Sequence, residues 1–320
     1  MSDAPAQTVT RRDALVAAAS VVVAACSRTR GGRPRVALVL KTFNSPFFLD
    51  MRNGAEAAAA RAGIDLVVQA AERELDVERQ MQIIENLIET RVAVLCICPS
   101  GSTEIVPAVG KANRAGIPVI IVDDQIDESA AAEQGVWFDT YIGSDNVEGG
   151  RIAGQYLVDA SGGSASLALL EGIPGHQTGD ARLRGFRDAI RSAPGVAVVA
   201  SQTANWERDQ GFTVFRNMLQ AHPKIDALFA CNDMMALGAV EAIQAAGRTG
   251  AIRIIGFDAV DDARKAIAAG RMEASVAQYP EVMGRIAIES AVKLIRGEPV
   301  PRDQRTRVGL VTRANVDAPR

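Results

Sequence analysis

From Arg35 onward, short apolar runs alternate with segments in which apolar residues recur every three or four positions. The short runs predict buried strands, and the spaced segments predict amphipathic helices. In the first half, strands are predicted at 36–40, 64–69, 92–98 and 118–122, and helices at 47–62, 76–90 and 104–115. Apolar strands that alternate with helices predict a parallel sheet covered on both faces.

The second half of the chain repeats this pattern. Strands are predicted at 166–170, 196–202, 227–230, 253–257 and 273–277, and helices at 146–160, 180–192, 208–221, 234–246, 262–269 and 282–296. The repetition predicts an α/β protein with two lobes of similar size and a boundary near residues 142–144. A length of 320 residues agrees with two domains.

The first 33 residues follow a different pattern. Two arginines at positions 11 and 12 precede an apolar run over 14–25, which is typical of an export signal and too short to span a bilayer. Val-Ala-Ala-Cys at 23–26 resembles a lipobox, in which Cys26 is acylated. We therefore predict an export signal at 1–25, and a lipidated cysteine with a short tether at 26–33. A frayed N-terminal helix is the alternative.

These features predict a location in the periplasm or cell envelope, with membrane contact only through the lipid on Cys26. The arginine pair with Leu15 resembles a twin-arginine signal, but Asp13 departs from that pattern. The general secretory route therefore remains open.

Composition excludes several classes of function. A net charge of −3 with no basic cluster argues against a nucleic-acid partner. No spacing of the two histidines and four cysteines fits a metal site, and no cofactor or hydrolase motif occurs, so we expect neither a cofactor nor an enzyme. Cys96 and Cys98 point to one side of a strand, which is poor disulfide geometry, and are expected to be free thiols.

Aromatic, carboxylate, amide and guanidinium side chains follow the predicted strands. In open parallel sheets, ligands bind beyond the carboxyl ends of the strands. Aromatic faces cover the C–H surface of a sugar, and the polar groups bond its hydroxyls. The candidate binding residues are Lys41, Ser45, Phe47, Phe48, Asp123, Asp124, Arg182, Trp206, Asn232, Asp258 and Gln278, with His176 as a further candidate.

Each candidate also has a purely structural interpretation. The alternatives are core packing for Phe47, Phe48 and Trp206, helix capping for Asn232 and Asp258, an ion pair with Asp123 or Asp124 for Lys41, and a polar loop position for His176.

Several stretches resemble one known family. FNSPFF, GIPVIIVDD, IGSDNVEGGRIAG, RLRGF, ASQTANWERDQG, AHPKIDALFACNDMMALGA, IIGFDA and SVAQYP are similar to the ribose-type periplasmic binding proteins of sugar ABC transporters, over 34–311. The resemblance implies two Rossmann-like lobes joined by crossovers near 142–144, 278–280 and 305–309. The N-terminal lobe would comprise 34–143 plus 279–306, and the C-terminal lobe 144–278 plus 307–320.

The resemblance also implies roles for the candidates. The ring-stacking aromatics are Phe47, Phe48 and Trp206, and the hydroxyl-binding groups are Asp123, Arg182, Asn232, Asp258 and Gln278. Ribose-binding members carry Ser, Asn, Arg and Phe where this chain has Lys41, Ser45, Asp124 and Trp206. Galactose-type members are similar to it at Trp206 and His176.

A ligand other than ribose is therefore expected. The chain is most similar overall to inositol-binding members, which favours myo-inositol, with hexoses and pentoses as alternatives. The expected function is to capture a sugar or cyclic polyol and deliver it to an ABC permease. Docking of the loaded protein to a sensor protein remains open. Transcription regulators of the same fold carry an N-terminal helix-turn-helix, whereas this chain carries an export signal.

Overall fold

The predicted alternation of strands and helices is observed in a computed structural model, which describes residues 32–318. The strands are β1 (Arg35–Thr42), β2 (Asp65–Ala71), β3 (Val94–Ile97), β4 (Val119–Val122), β5 (Thr140–Ser144), β6 (Ser164–Glu171), β7 (Gly195–Thr203), β8 (Ala227–Ala230), β9 (Arg253–Asp258), β10 (Ala274–Ala277), β11 (Asp303–Thr306) and β12 (Gly309–Thr312). The helices are α1 (Pro46–Ala62), α2 (Val77–Glu89), α3 (Val106–Arg114), α4 (Glu128–Glu133), α5 (Asn146–Ala160), α6 (Gln177–Ile190), α7 (Arg208–Ala221), α8 (Asp233–Ala245), α9 (Asp261–Ala268) and α10 (Pro280–Ile295).

These strands form two six-stranded sheets within the unit Pro34–Arg320. The first sheet has the order β11-β5-β4-β3-β1-β2, and the second has the order β12-β10-β9-β8-β6-β7. Every pairing is parallel except that between β10 and β12. The fold is therefore the α/β architecture of two mostly parallel sheets that the sequence predicts.

The chain passes between the sheets three times. It leaves the first sheet after β5, returns after β10, and crosses again between β11 and β12. The helix after β10 then packs on α1, because Gly54 and Gly284 allow the two backbones to approach: a Cβ at either glycine would overlap the backbone of the other helix. A helix that follows a strand of the second sheet thus covers the first.

Four elements were not predicted: β5, α4, β11 and β12. Strands β11 and β12 have only four residues each, and β11 (Asp-Gln-Arg-Thr) has no apolar residue. Their pairing with β5 and β10 joins distant parts of the chain, so no local pattern indicates it. The short helix α4 instead has a local signal, since the Asp127 carboxylate accepts a hydrogen bond from the backbone N–H of Ala130.

The cysteines of the described region are free and buried, as predicted for Cys96 and Cys98, and Cys231 is buried as well. Among the described residues, no helix is both long and apolar enough to cross a bilayer. The predicted export signal, Cys26 and most of the predicted tether lie outside the described residues.

Candidate functional site

The carboxyl ends of both sheets border one cavity of about 320 Å³ including its mouth. It brings together all the predicted binding residues except the further candidate His176, and adds Glu74 and Thr178. The lining residues are Lys41, Ser45, Phe47, Phe48, Glu74, Asp123, Asp124, Thr178, Arg182, Trp206, Asn232, Asp258 and Gln278.

Lys41 is the penultimate residue of β1 and is buried among carboxylates. Its ammonium forms an ion pair with Asp124 and lies 3.5 Å from a carboxylate oxygen of Glu74. Burial alone would lower the pKa of Lys41, but Asp124 and Glu74 outweigh it and raise that pKa above its ordinary value. Lys41 is therefore charged. The ion pair that was the alternative interpretation is present, and Lys41 lines the cavity as well.

The three carboxylates around Lys41 differ in charge. Burial opposes the charge of Asp124, but Lys41 overcomes this and lowers the Asp124 pKa. Burial raises the pKa of Glu74 to about 7, against the pull of Lys41. Burial and the neighbouring Asp124 raise the pKa of Asp123 to about 7. One ammonium thus holds one carboxylate firmly charged and leaves two that titrate near neutral pH.

Three aromatic side chains, a phenylalanine pair and a tryptophan, line the cavity. Phe47 and Phe48 occupy the first turn of α1 and meet edge to face, with ring centroids 5.2 Å apart. Trp206 follows β7, and its indole lies against Gly172, where a Cβ would overlap the ring. The Trp206 Nε1 is buried and has no hydrogen-bond partner.

Helix α6, which follows β6 of the second sheet, contributes the guanidinium of Arg182, and several groups hold it in place. Arg182, on α6, donates from Nε to Asn146 Oδ1 at 2.9 Å and from Nη1 to the Cys231 carbonyl at 2.7 Å. Its Nη1 also lies 3.7 Å from Asp258 Oδ1. Its guanidinium carbon lies 3.9 Å from the ring centroid of Phe257. These contacts hold the side chain in place.

Asp258 and Gln278 stand together at the ends of β9 and β10. Gln278 Nε2 donates to Asp258 Oδ1 at 2.6 Å, which leaves the buried Gln278 Oε1 without a partner. Burial raises the pKa of Asp258 to about 8, although Arg182 opposes this. Asp258 does not cap a helix, since Val260 precedes α9, so the capping interpretation of Asp258 is wrong.

Asn232 does cap a helix. Its Oδ1 accepts from the Met235 N–H at 2.9 Å at the start of α8, and its Nδ2 donates to the Trp206 carbonyl at 3.0 Å. The capping interpretation of Asn232 is confirmed, and the same residue lines the cavity.

His176 lies directly before α6, outside the cavity lining but close to it. Its Nδ1 is 3.8 Å from Asp124 Oδ2. Burial and the Lys41 charge lower the His176 pKa, so the imidazole is neutral at neutral pH. The polar loop position is the better description of this residue.

Several lining residues have left-handed backbones at the ends of strands. Asp123 (φ 67°), Trp206 (φ 66°) and Asp258 (φ 114°) all lie where glycine is normally favoured. Such conformations cost about 1–3 kcal/mol each and cluster at functional sites. These backbone conformations indicate a functional site at this edge of the sheets without reference to any sequence motif.

Sequence reasoning missed Glu74 and Thr178. Glu74 follows β2, so the strand-end rule was sufficient to find it had it been applied there. Thr178 lies in the first turn of α6, four residues before Arg182. In the described part of the chain, no group of three or more His, Cys, Asp or Glu side chains is arranged to hold a metal ion.

Comparison with known proteins agrees with this architecture. Residues 36–299 match the family model described as a periplasmic binding protein domain. The chain is 38% identical over 267 residues to the ribose import binding protein of Bacillus subtilis, covering 83% of each chain. It is 33% identical to the D-allose-binding periplasmic protein of Escherichia coli, covering 86% of this chain and 89% of that one.

Two solved structures are similar over almost their full length. A periplasmic solute-binding protein of an ABC transporter from Actinobacillus succinogenes, with bound D-allose, superposes with a TM-score of 0.84 at 37% identity, covering 89% of this chain and 99% of that one. One from Bacillus halodurans, with bound myo-inositol, gives 0.81 at 27% identity, covering 90% and 97%. With two such sheets and a cavity at their strand ends, this chain belongs to the ribose-type periplasmic binding proteins and has their type I fold.

Proposed function

We propose that this protein captures a sugar or cyclic polyol in the cavity and delivers it to an ABC permease. The observation that carries the proposal is a set of buried polar atoms without partners beside aromatic rings: Asp123 Oδ1, Asp124 Oδ1, Trp206 Nε1 and Gln278 Oε1. Buried polar groups are costly unless something bonds them. A ring with several hydroxyls supplies both donors and acceptors, and its C–H faces fit the phenyl and indole surfaces.

Within that class, we propose myo-inositol as the first candidate. Lys41 and Asp124 together replace a serine and an arginine of ribose-binding members, which exchanges a bidentate donor for an acceptor. A ring with a hydroxyl on every carbon can donate hydrogen bonds to such acceptors on every side of the ring. Ribose, allose and other hexoses are the second candidates, in keeping with what the relatives bind.

We propose that the two lobes close on the ligand. Their bounds are 34–143 plus 279–306 and 144–278 plus 307–320. In the described conformation, Arg73 Nε lies 3.5 Å from Glu207 Oε1, and the Gln177 N–H donates to Ser102 Oγ at 3.4 Å. These contacts join the two lobes. A ligand that contacts both lobes stabilises this closed state by its differential affinity.

The closed protein then presents a surface that a permease recognises, and no chemical step is required of the site. We propose that Cys26 is acylated after export and tethers the protein in the periplasm or cell envelope, with the twin-arginine route as one means of export. A sensor protein that docks the same closed form is the alternative partner.

Calorimetric titration of the full-length chain with myo-inositol, ribose, galactose, glucose and xylose tests the ligand. A micromolar or tighter response to myo-inositol alone supports the proposal in full. A response to another of the five corrects the ligand and keeps the site. Silence from all five refutes a common monosaccharide or inositol as ligand.

A further inference from the structure

The charges that line the cavity do not balance. Two cationic side chains, Lys41 and Arg182, face four carboxyl groups, which are Glu74, Asp123, Asp124 and Asp258. All six side chains are at least nine-tenths buried. Water therefore screens the imbalance poorly, and the cavity has capacity for a positive charge.

Two of the carboxylates have a cation of their own. Asp124 pairs with Lys41, and Asp258 accepts a hydrogen bond from Gln278 Nε2 at 2.6 Å and has Arg182, which pairs with no other carboxylate of the cavity lining, at 3.7 Å. Glu74 has to share Lys41 with Asp124, and lies 3.5 Å from its ammonium. Asp123 has a buried Oδ1 with no hydrogen-bond partner. Glu74 and Asp123 are therefore the two carboxyl groups in excess.

A neutral hydroxyl satisfies an orphaned carboxylate oxygen but does not balance its charge, whereas an ammonium group does both. We propose that the ligand of this site is a ring polyol bearing an amino group, and that Glu74 and Asp123 receive its ammonium. This inference rests on the proposed function, because it places a further substituent on the same ring.

The protonation of these two carboxyl groups supports this assignment. Burial raises the pKa of Glu74 and Asp123 to about 7. Lys41 and Asp124 are charged neighbours of both, Asp123 is a further neighbour of Glu74, and Arg182 and Asp258 are further neighbours of Asp123. Near neutral pH each carboxyl is thus about half protonated when no ligand cation is present. An ammonium ligand favours the ionised forms and displaces the protons. Over the range in which the ligand's amine stays protonated, its affinity should therefore rise from pH 6 to pH 7 more steeply than that of the neutral ring.

Paired titrations of the full-length chain test the proposal. The pairs are myo-inositol with its amino-deoxy derivative, D-glucose with D-glucosamine, and D-galactose with D-galactosamine. At pH 7.5, we expect the amino member of at least one pair to bind at least tenfold more tightly than its neutral partner. Amino members that bind equally or more weakly in every pair overturn the inference and leave the proposed function intact. Silence from all six with a response to ribose or xylose overturns the inference and leaves the proposed function intact, and silence from ribose and xylose as well counts against both.

Variants then locate the ammonium. Glu74→Gln keeps the size of the side chain and removes its charge, and it should lower the preference for the amino member at least tenfold. Glu72→Gln is the matched control, since Glu72 is exposed in the same loop, and it should leave the preference unchanged. If Glu74→Gln weakens both members of a pair equally while circular dichroism shows it folded, Glu74 does not receive the ammonium and the assignment fails.

Discussion

Lys41 and Asp124 stabilise each other at a depth where either alone would be costly. Both residues are 2% exposed. Removing one partner of a buried ion pair leaves an uncompensated charge. The resemblance implies that ribose-binding members differ from this chain at both positions, and the ion pair means that the two residues have to be exchanged together.

Single substitutions Lys41→Ser and Asp124→Arg should each lower the free energy of unfolding by about 3–5 kcal/mol, because each leaves one member of the buried ion pair without its partner. The double variant should lose clearly less than the sum and should gain affinity for ribose. Urea denaturation and ribose titration measure the two effects. The exposed pair Lys111 and Glu85 is the control, and the same exchange there should change stability by about 1 kcal/mol or less. Additive losses in the cavity pair would contradict the coupling.

Arg182 is the second residue whose loss should be severe. Arg182→Ala should weaken ligand binding by about 2–5 kcal/mol, because the Asp258 carboxylate would lose its charged neighbour. Arg187→Ala on the exposed side of the same helix is the control and should leave binding unchanged. Calorimetry measures both. A loss of less than tenfold for Arg182→Ala would count against the assigned site.

At the scale of elements, α5 and α6 approach so closely that glycine is required at their contact. A Cβ at Gly185 would overlap the Val147 carbonyl, and a Cβ at Gly150 would overlap the carbonyl of Arg182 itself. This close contact between α5 and α6, which we call the seam, thus sets the position of α6, the helix that carries Arg182.

Gly185→Ala should therefore lower the free energy of unfolding by about 1–3 kcal/mol, as overpacking does, and also weaken ligand binding. Arg184→Ala, an exposed change in the same helix, should do neither. Thermal unfolding and calorimetry distinguish the cases. Unchanged binding in a destabilised Gly185→Ala would show that the seam supports the fold without positioning Arg182.

The residues at the strand ends were predictable because all strands of a parallel sheet have their carboxyl ends at the same edge, whatever the order of the strands. Asp123, Trp206 and Asp258 could therefore be placed together without knowledge of the topology. Their left-handed backbones were not predictable, since φ values above zero are imposed by tertiary contacts. Glu74 was missed because the strand-end rule was not applied to β2, and its pairing with Lys41, 33 positions away, has no local signal. Strand β11 was missed because its partner strand is much more remote in sequence, with 162 positions between the paired Ser144 and Thr306.

At the scale of the whole molecule, the buried carboxyls make stability depend on pH. Burial raises the pKa of Glu74, Asp123 and Asp233 to about 7, and that of Asp258 to about 8. Between about pH 4 and 8, the folded state therefore binds more protons than the unfolded chain, and stability falls as pH rises. His176 acts in the opposite sense below its ordinary pKa of 6.5, because burial lowers it.

We therefore expect the free energy of unfolding of the ligand-free chain to decrease from pH 5.5 to pH 8 and to level off above that. Urea denaturation across this range measures it. Glu74→Gln should show a smaller decrease, since it removes one of the titrating groups, and Glu72→Gln should follow the unmodified chain. A profile that rises with pH would contradict the assigned protonation states.

The rate at which the buried thiols react reports on the opening of each half of the molecule separately. Cys96 and Cys98 lie in the first sheet or directly after it, and Cys231 directly follows a strand of the second. Burial raises the pKa of Cys96 and Cys231 to about 12, so little reactive thiolate forms while the fold is intact. The rate at which an alkylating reagent labels each cysteine thus reports how often its own half opens, and a bound ligand that holds both halves should slow the two rates together.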